Sequence, residues 1–218
     1  MEETAKIGIP RIRFVTSHPW DFTDEMINLV AKYPNIMPYI HLPLQSGSDR
    51  ILKLMGRRYT SEEYLALFNK IKSSIPNAAI TTDIIVGFPN ETEEDFEDTL
   101  RVVNECKYDG AFTFIYSPRE GTPASKIKDS IALEEKEQRL YKLNELINNY
   151  SLENNKKYVG NVEKVLVIGV SEKDGSKVYG YTETMKLVNI IADKNVIGEI
   201  VDVIITDAKS FSLDGILK

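Results

Sequence analysis

Four β-rich, largely apolar segments in the first two thirds of the chain, residues 11–16, 36–42, 78–86 and 111–116, each run straight into a polar or glycine-containing stretch. Between them, apolar residues recur at helical spacing over 23–33, where Met26, Ile27, Leu29 and Val30 fall, and over 48–55, 61–74 and about 92–106. Residues 134–156 follow as a long amphipathic helix carrying Leu140, Leu143, Leu146, Ile147 and Tyr150. This alternation predicts βα units on a parallel sheet.

The pattern changes near Tyr158. Short β-rich runs at 162–170, 177–182, 186–192 and 199–208, punctuated by Gly160, Gly169, Gly175, Gly180 and Gly198, predict a small all-β barrel. Charge shifts at the same place: residues 1–156 hold all eight arginines, whereas 157–218 hold eight lysines against nine acids. The expected fold is α/β: a partial (β/α) barrel of about four parallel βα units over 1–156, then a small β-barrel over 157–218. Four units are too few for an eight-stranded barrel or the usual doubly wound sheet. With the chain starting almost directly on a strand, a fragment of a larger protein is expected.

Composition narrows the classes. A single cysteine excludes an internal disulfide framework and a thiolate metal cage. The net charge of −6 argues against indiscriminate nucleic-acid binding, leaving room for a local basic patch. No apolar run approaches the ~18 residues of a membrane span, and the N-terminus lacks the order of a secretory signal. A cytoplasmic protein is expected.

In parallel α/β folds, ligands bind beyond the carboxyl ends of the strands. The polar stretches 17–19, 45–48, 87–91 and 117–121 would share that rim. Gln45 and Ser46 offer an amide and a hydroxyl to a ribose or amino-acid head group, and Gly47 would let a ligand approach the backbone. The competing reading is helix capping by Ser46 or Ser48. Asp83, inside an apolar strand, must be paired or face a polar cavity, with an arginine or backbone amides as its structural alternative. The acidic run Glu91, Glu93, Glu94, Asp95, Glu97 and Asp98 reads as a helix start, with Thr92 and Asp95 forming a capping-box-like pair, rather than as a metal site. His18 follows a strand and could reach the rim, His41 belongs to core or an interstrand contact, and Cys106 is an ordinary thiol.

Arg119, Arg57 and Arg58 suit phosphate contacts. In the barrel, Tyr158, Tyr179, Tyr181, Lys177 and Lys186 mix aromatics with cations, as single-strand binders do. Neither a P-loop, a GxGxxG fingerprint, an HExxH motif nor a catalytic triad is present.

Four segments in order, RIRFVTSHPWDFTDEMI, HLPLQSGSDRILKLMGRRYTSEEY, TTDIIVGFPNETEEDF and FTFIYSPREGTPA, closely resemble the radical S-adenosylmethionine methylthiotransferases. The tail resembles that family's TRAM domain, a small RNA-binding β-barrel. Ser17-His18-Pro19 with Asp21-Phe22 is similar to the branch that methylthiolates isopentenylated adenosine beside the tRNA anticodon. The threonylcarbamoyl-adenosine branch shares Gln45-Ser46-Gly47-Ser48 and is the alternative substrate reading; a non-catalytic tRNA-binding module is the alternative from another class.

For a complete enzyme the resemblance implies two [4Fe-4S] clusters, one of which, held by a CxxxCxxC motif, cleaves S-adenosylmethionine to a 5′-deoxyadenosyl radical. It places Gln45, Ser46, Asp83 and Gly87, with Ser17 and Tyr116, around S-adenosylmethionine. For RNA, residue chemistry puts forward Arg119, Arg57 and Arg58, with Lys177, Tyr181 and Lys186 of the barrel. No catalytic residue or metal ligand is expected here: the cysteine motif is absent, and Cys106 matches no ligand position of it. The chain alone is expected to be inert, needing N-terminal cluster-binding regions of the same protein.

Overall fold

The computed structural model describes residues 1–15, 18–172 and 174–218. The first part builds a three-stranded parallel sheet in the order β1 (Tyr39–His41), β2 (Ala79–Val86), β3 (Gly110–Ile115). Tyr39 pairs with Ala79, and Thr81 with Gly110. Pro38 has no N–H to give to β2, so β1 begins one residue later, shorter than the apolar run predicts.

Helices α2 (Asp24–Lys32), α3 (Asp49–Leu54), α4 (Ser61–Ser74), α5 (Glu93–Cys106) and α6 (Leu133–Lys156) follow the predicted segments, after a short unpredicted α1 (Glu2–Lys6). Their starts are chemically marked. Thr60 with Glu63 and Thr92 with Asp95 form reciprocal capping boxes, as read for the second from its acidic run. Ser48 caps α3 through the Ile51 N–H.

Of the expected first strand, the described residues 11–15 do not form a full strand. The described part makes one parallel bridge, Ile12 to Ile36, with bonds from Ile12 N to Asn35 O (2.8 Å) and Met37 N to Ile12 O (2.9 Å). Beyond it, side chains replace ladder bonds: Phe14 stacks on Phe22 at 6.1 Å, and Arg13 covers the Tyr39 ring at 5.3 Å.

Strand alternation divides β2 into two faces. Ile80, Thr82, Ile84 and Val86 are buried, whereas Thr81, Asp83 and Ile85 are only partly covered. The core under the sheet adds Ile40, Leu42, Tyr64, Phe96 and Tyr108.

A separate core of Val165, Val167, Val178, Val188, Ile190, Val203, Ile205 and Leu213 fills a closed barrel. Its strands β4 (Val162–Val170), β5 (Val178–Tyr181), β6 (Leu187–Ile191), β7 (Ile200–Ala208) and β8 (Leu213–Leu217) run in the order β4-β5-β6-β8-β7, with only β6 and β8 parallel. The fifth strand, β8, has no counterpart in the sequence reading.

The two parts meet through specific polar contacts. Arg11 donates to the carbonyls of Tyr181 (2.7 Å) and Lys164 (2.6 Å). From α6, the Ser151 hydroxyl reaches Ser210 O (2.6 Å) and the Asn155 amide donates to Lys209 O (2.7 Å).

Candidate functional site

A cavity of about 740 Å³ opens at the carboxyl ends of β2 and β3 and beside the segment that follows β1. Gln45, Arg57, Asp83, Ile85, Phe88, Tyr116 and Arg119 contribute to its wall. Gln45 has a left-handed backbone, φ +70. Two bonds hold it there: its N–H donates to Asp83 O (2.8 Å), and its carbonyl accepts from Ile85 N (2.9 Å). The ladder thus continues beyond β1 and presents a strained, buried glutamine at the cavity, an expense that usually marks a working position.

Asp83 projects from the less covered face of β2. Its partner is neither arginine nor backbone amide: Oδ1 lies 3.3 Å from His41 Nε2, and His41 Nδ1 is 3.0 Å from Thr81 Oγ1. His41 is thus an interstrand residue, as read. Tyr116 closes the far side, its amide bonded to Val86 O (2.9 Å) and its ring edge-on to Phe88 at 4.9 Å. Its hydroxyl is buried with no hydrogen-bond partner among the described residues. Arg57 and Arg119 bring cations to the same wall, and Arg57 Nη1 lies 3.3 Å from His18 Nδ1.

Ser46 and Gly87 lie outside this wall. Ser46 is fully buried, accepting from Ser48 N (3.2 Å) beside Thr99 Oγ1 (3.4 Å), so it organises the turn into α3. Gly47 is open to the approach of a helix rather than a ligand: a Cβ there would meet Asp98 O and Thr99 Cα of α5, each at 2.5 Å. Gly87, at φ +68, is overlain by the Lys136 side chain, and its N–H donates to Glu91 Oε2 at 2.8 Å. Ser17 lies outside the described residues.

Among the residues read as RNA contacts, Arg58 is exposed but is no part of the cavity wall. Lys177 lies 3.7 Å from Asp174, and Tyr181 stands edge-on to Tyr179 at 6.3 Å. Lys186 is corrected by the structure: it is buried, with Nζ 2.8 Å from Asp109 Oδ1 of the sheet domain. Its ammonium is taken up at the joint and is not offered to solvent.

The acidic run does structural work. Burial pushes the Glu91 carboxyl up, against the Gly87 amide and Arg139, whose Nη1 lies 2.8 Å away. Burial likewise pushes Asp95 up, but bonds from Arg50, Ser48 and Thr92 outweigh it and hold that carboxyl well below the usual carboxylate range. Arg139 and Lys136 of α6, which secure the 87–91 turn, escaped sequence reading. Their signal was available: both fall on the helix face that carries Leu143 and Ile147.

Residues 1–103 match the Radical SAM superfamily model and residues 156–218 the TRAM domain model. The chain is thus similar to a radical SAM segment followed by a TRAM domain. Over 99% of its length it is 57% identical to tRNA-2-methylthio-N(6)-dimethylallyladenosine synthase of Bacillus cytotoxicus, and 54% identical to the protein of that name from Bacillus mycoides. It spans 42% of the length of each. Among solved structures, coproporphyrinogen III oxidase of Escherichia coli, described as a radical SAM enzyme, superposes with a TM-score of 0.54. That likeness, at 18% identity over 79% of this chain and 46% of the other, concerns the fold.

The residues of this cavity fit S-adenosylmethionine better than a cluster. The cavity joins apolar walls, Ile85, Phe88 and the Tyr116 side chain, to a carboxylate and an amide, the mixture a nucleoside bearing an amino acid requires. Iron–sulfur ligation does not fit these residues. Cys106 is buried, which pushes its thiol up to about 12, and no three His, Cys, Asp or Glu side chains gather as a metal site among the described residues. No described helix is long and apolar enough to cross a membrane.

Proposed function

We propose that this chain is the portion of a tRNA methylthiotransferase that supplies one wall of the S-adenosylmethionine site together with an RNA-binding TRAM barrel. The substrate in this reading is isopentenylated adenosine beside the anticodon, and the enzyme works in the cytoplasm. The observation that carries it is the 57% identity over 99% of the chain to a relative named for that methylthio product. The strand-end cavity supports it.

Asp83 offers acceptor oxygens to the ligand's ammonium or ribose hydroxyls, and Gln45 offers an amide. Tyr116 brings a hydroxyl, while Ile85 and Phe88 exclude water from one side. S-adenosylmethionine, when bound, supplies the methyl group and the radical chemistry of the reaction. The two clusters implied by the resemblance are assigned to protein beyond these residues. Arg57 and Arg119 at the cavity, and Lys177 with Tyr181 on the barrel, serve tRNA.

Deleting the encoding gene and analysing tRNA nucleosides by mass spectrometry tests this reading. The 2-methylthio form of isopentenyladenosine should vanish and its precursor accumulate. Loss of the methylthio form of threonylcarbamoyl-adenosine instead would move the substrate to the other branch.

A further inference from the structure

We propose that Trp20, stacked on His18, is a platform for an unpaired RNA base beside the cavity; the choice of RNA as occupant rests on the tRNA reading above. The two rings lie 4.4 Å apart and within 5° of parallel, yet 41% of Trp20 remains exposed. Partial exposure alone is ordinary for an indole, which is seldom fully buried. This one is held open by a rigid base. Pro19 beside it is buried in a 3-10 turn, with Asp21 N bonded to His18 O at 3.0 Å. The Trp20 ring tilts onto Tyr59 at 5.8 Å, and the Tyr59 hydroxyl donates to Leu44 O at 2.9 Å. The stack is thereby anchored to the strand end that presents Gln45.

Cation and cavity adjoin it. Arg57 contacts His18 and also lines the cavity wall, so the platform and the cavity share a side chain. A preorganised exposed aromatic beside a guanidinium is the arrangement that binds single-stranded nucleic acid, each stacked base resting on a π-face with phosphate charge nearby. A duplex keeps its base faces covered and has nothing to stack here.

Trp20 is the only tryptophan, so emission excited at the red edge, beyond tyrosine absorption, reports this ring alone. The full chain is titrated with a labelled hairpin RNA carrying a purine-rich loop, and with its fully paired duplex, reading tryptophan emission and RNA anisotropy together. The hairpin should quench emission saturably and the duplex should not. Trp20→Leu should weaken hairpin binding about 5- to 150-fold, the range for losing one base–aromatic stack, with Trp20→Phe losing less. Hairpin binding with unchanged emission, quenching that the duplex matches, or full affinity in Trp20→Leu would each overturn the platform while leaving RNA binding intact. No hairpin binding by anisotropy would overturn the platform and count against the RNA-binding reading as well. Wild-type quenching needs no variant, so a folding defect in Trp20→Leu leaves the test decisive.

Discussion

Lys186 and Asp109 form an ion pair between the barrel and the sheet, Nζ to Oδ1 2.8 Å, with 8% and 12% of their side chains exposed. The second Asp109 oxygen accepts the Ile80 N–H at 2.9 Å, which latches the barrel to the start of β2. Removing one member of a buried pair strands the other charge and costs about 3–5 kcal/mol, whereas removing both strands neither. Lys186→Met is expected to lower unfolding free energy by about 3 kcal/mol, and the double variant with Asp109→Asn to regain most of it. Urea denaturation followed by circular dichroism measures both; equal losses in the two variants would defeat the latch.

That pair also shows where sequence reading stops. Lysines and tyrosines alternating across 177–186 look like an RNA-binding face, because nothing local reveals that the start of β6 meets the start of β3. Ser46 was ambiguous for a related reason, since a ligand rim and a helix cap call on the same residue types. Asp83 stood out because an ionisable group inside an apolar strand demands an explanation. The Thr92–Asp95 box was readable because both members lie within one turn. The contacts of Arg139 and Lys136 with a turn more than 40 residues earlier left one local trace, two cations on the apolar face of α6.

The Asp95 network sets a pH dependence. Burial pushes this carboxyl up, but the bonds from Arg50, Ser48 and Thr92 prevail and depress it. A carboxylate depressed in the fold stabilises above its unfolded value of about 3.9, and that stabilisation is lost as pH falls through the folded value. Asp95→Asn should cost about 2–4 kcal/mol at neutral pH. The gap from wild type should stay constant down to about pH 5 and narrow below about pH 4. Urea midpoints across that range check the sign; a gap that widens in acid would reverse it.

Two glycines at the rim should differ in tolerance. At Gly47 a Cβ meets helix backbone at 2.5 Å, which cannot move without displacing α5. At Gly87 it meets the Lys136 side chain near its base, Cγ at 2.5 Å and Cβ at 3.1 Å, a contact that side-chain rotation relieves more readily than helix backbone can, and the left-handed φ of +68 adds strain. Gly47→Ala is expected to cost about 3 kcal/mol and Gly87→Ala about 1–2 kcal/mol. Thermal midpoints of the two variants, compared side by side, would contradict this if Gly87→Ala proved the worse.

Tyr116 separates a ligand contact from a structural one. Its hydroxyl is buried without a protein partner, so the folded chain already carries the cost of desolvating it. Tyr116→Phe removes that cost and keeps the ring edge-on to Phe88, 4.9 Å from centroid to centroid. Stability should therefore hold or rise by up to about 1 kcal/mol. If the hydroxyl is completed by S-adenosylmethionine, affinity should fall about 3- to 10-fold, the worth of one neutral hydrogen bond. Calorimetric titration with S-adenosylhomocysteine, beside thermal melts of the same samples, reads both quantities. Lower stability with unchanged affinity would assign the hydroxyl to the fold and remove Tyr116 from the binding wall.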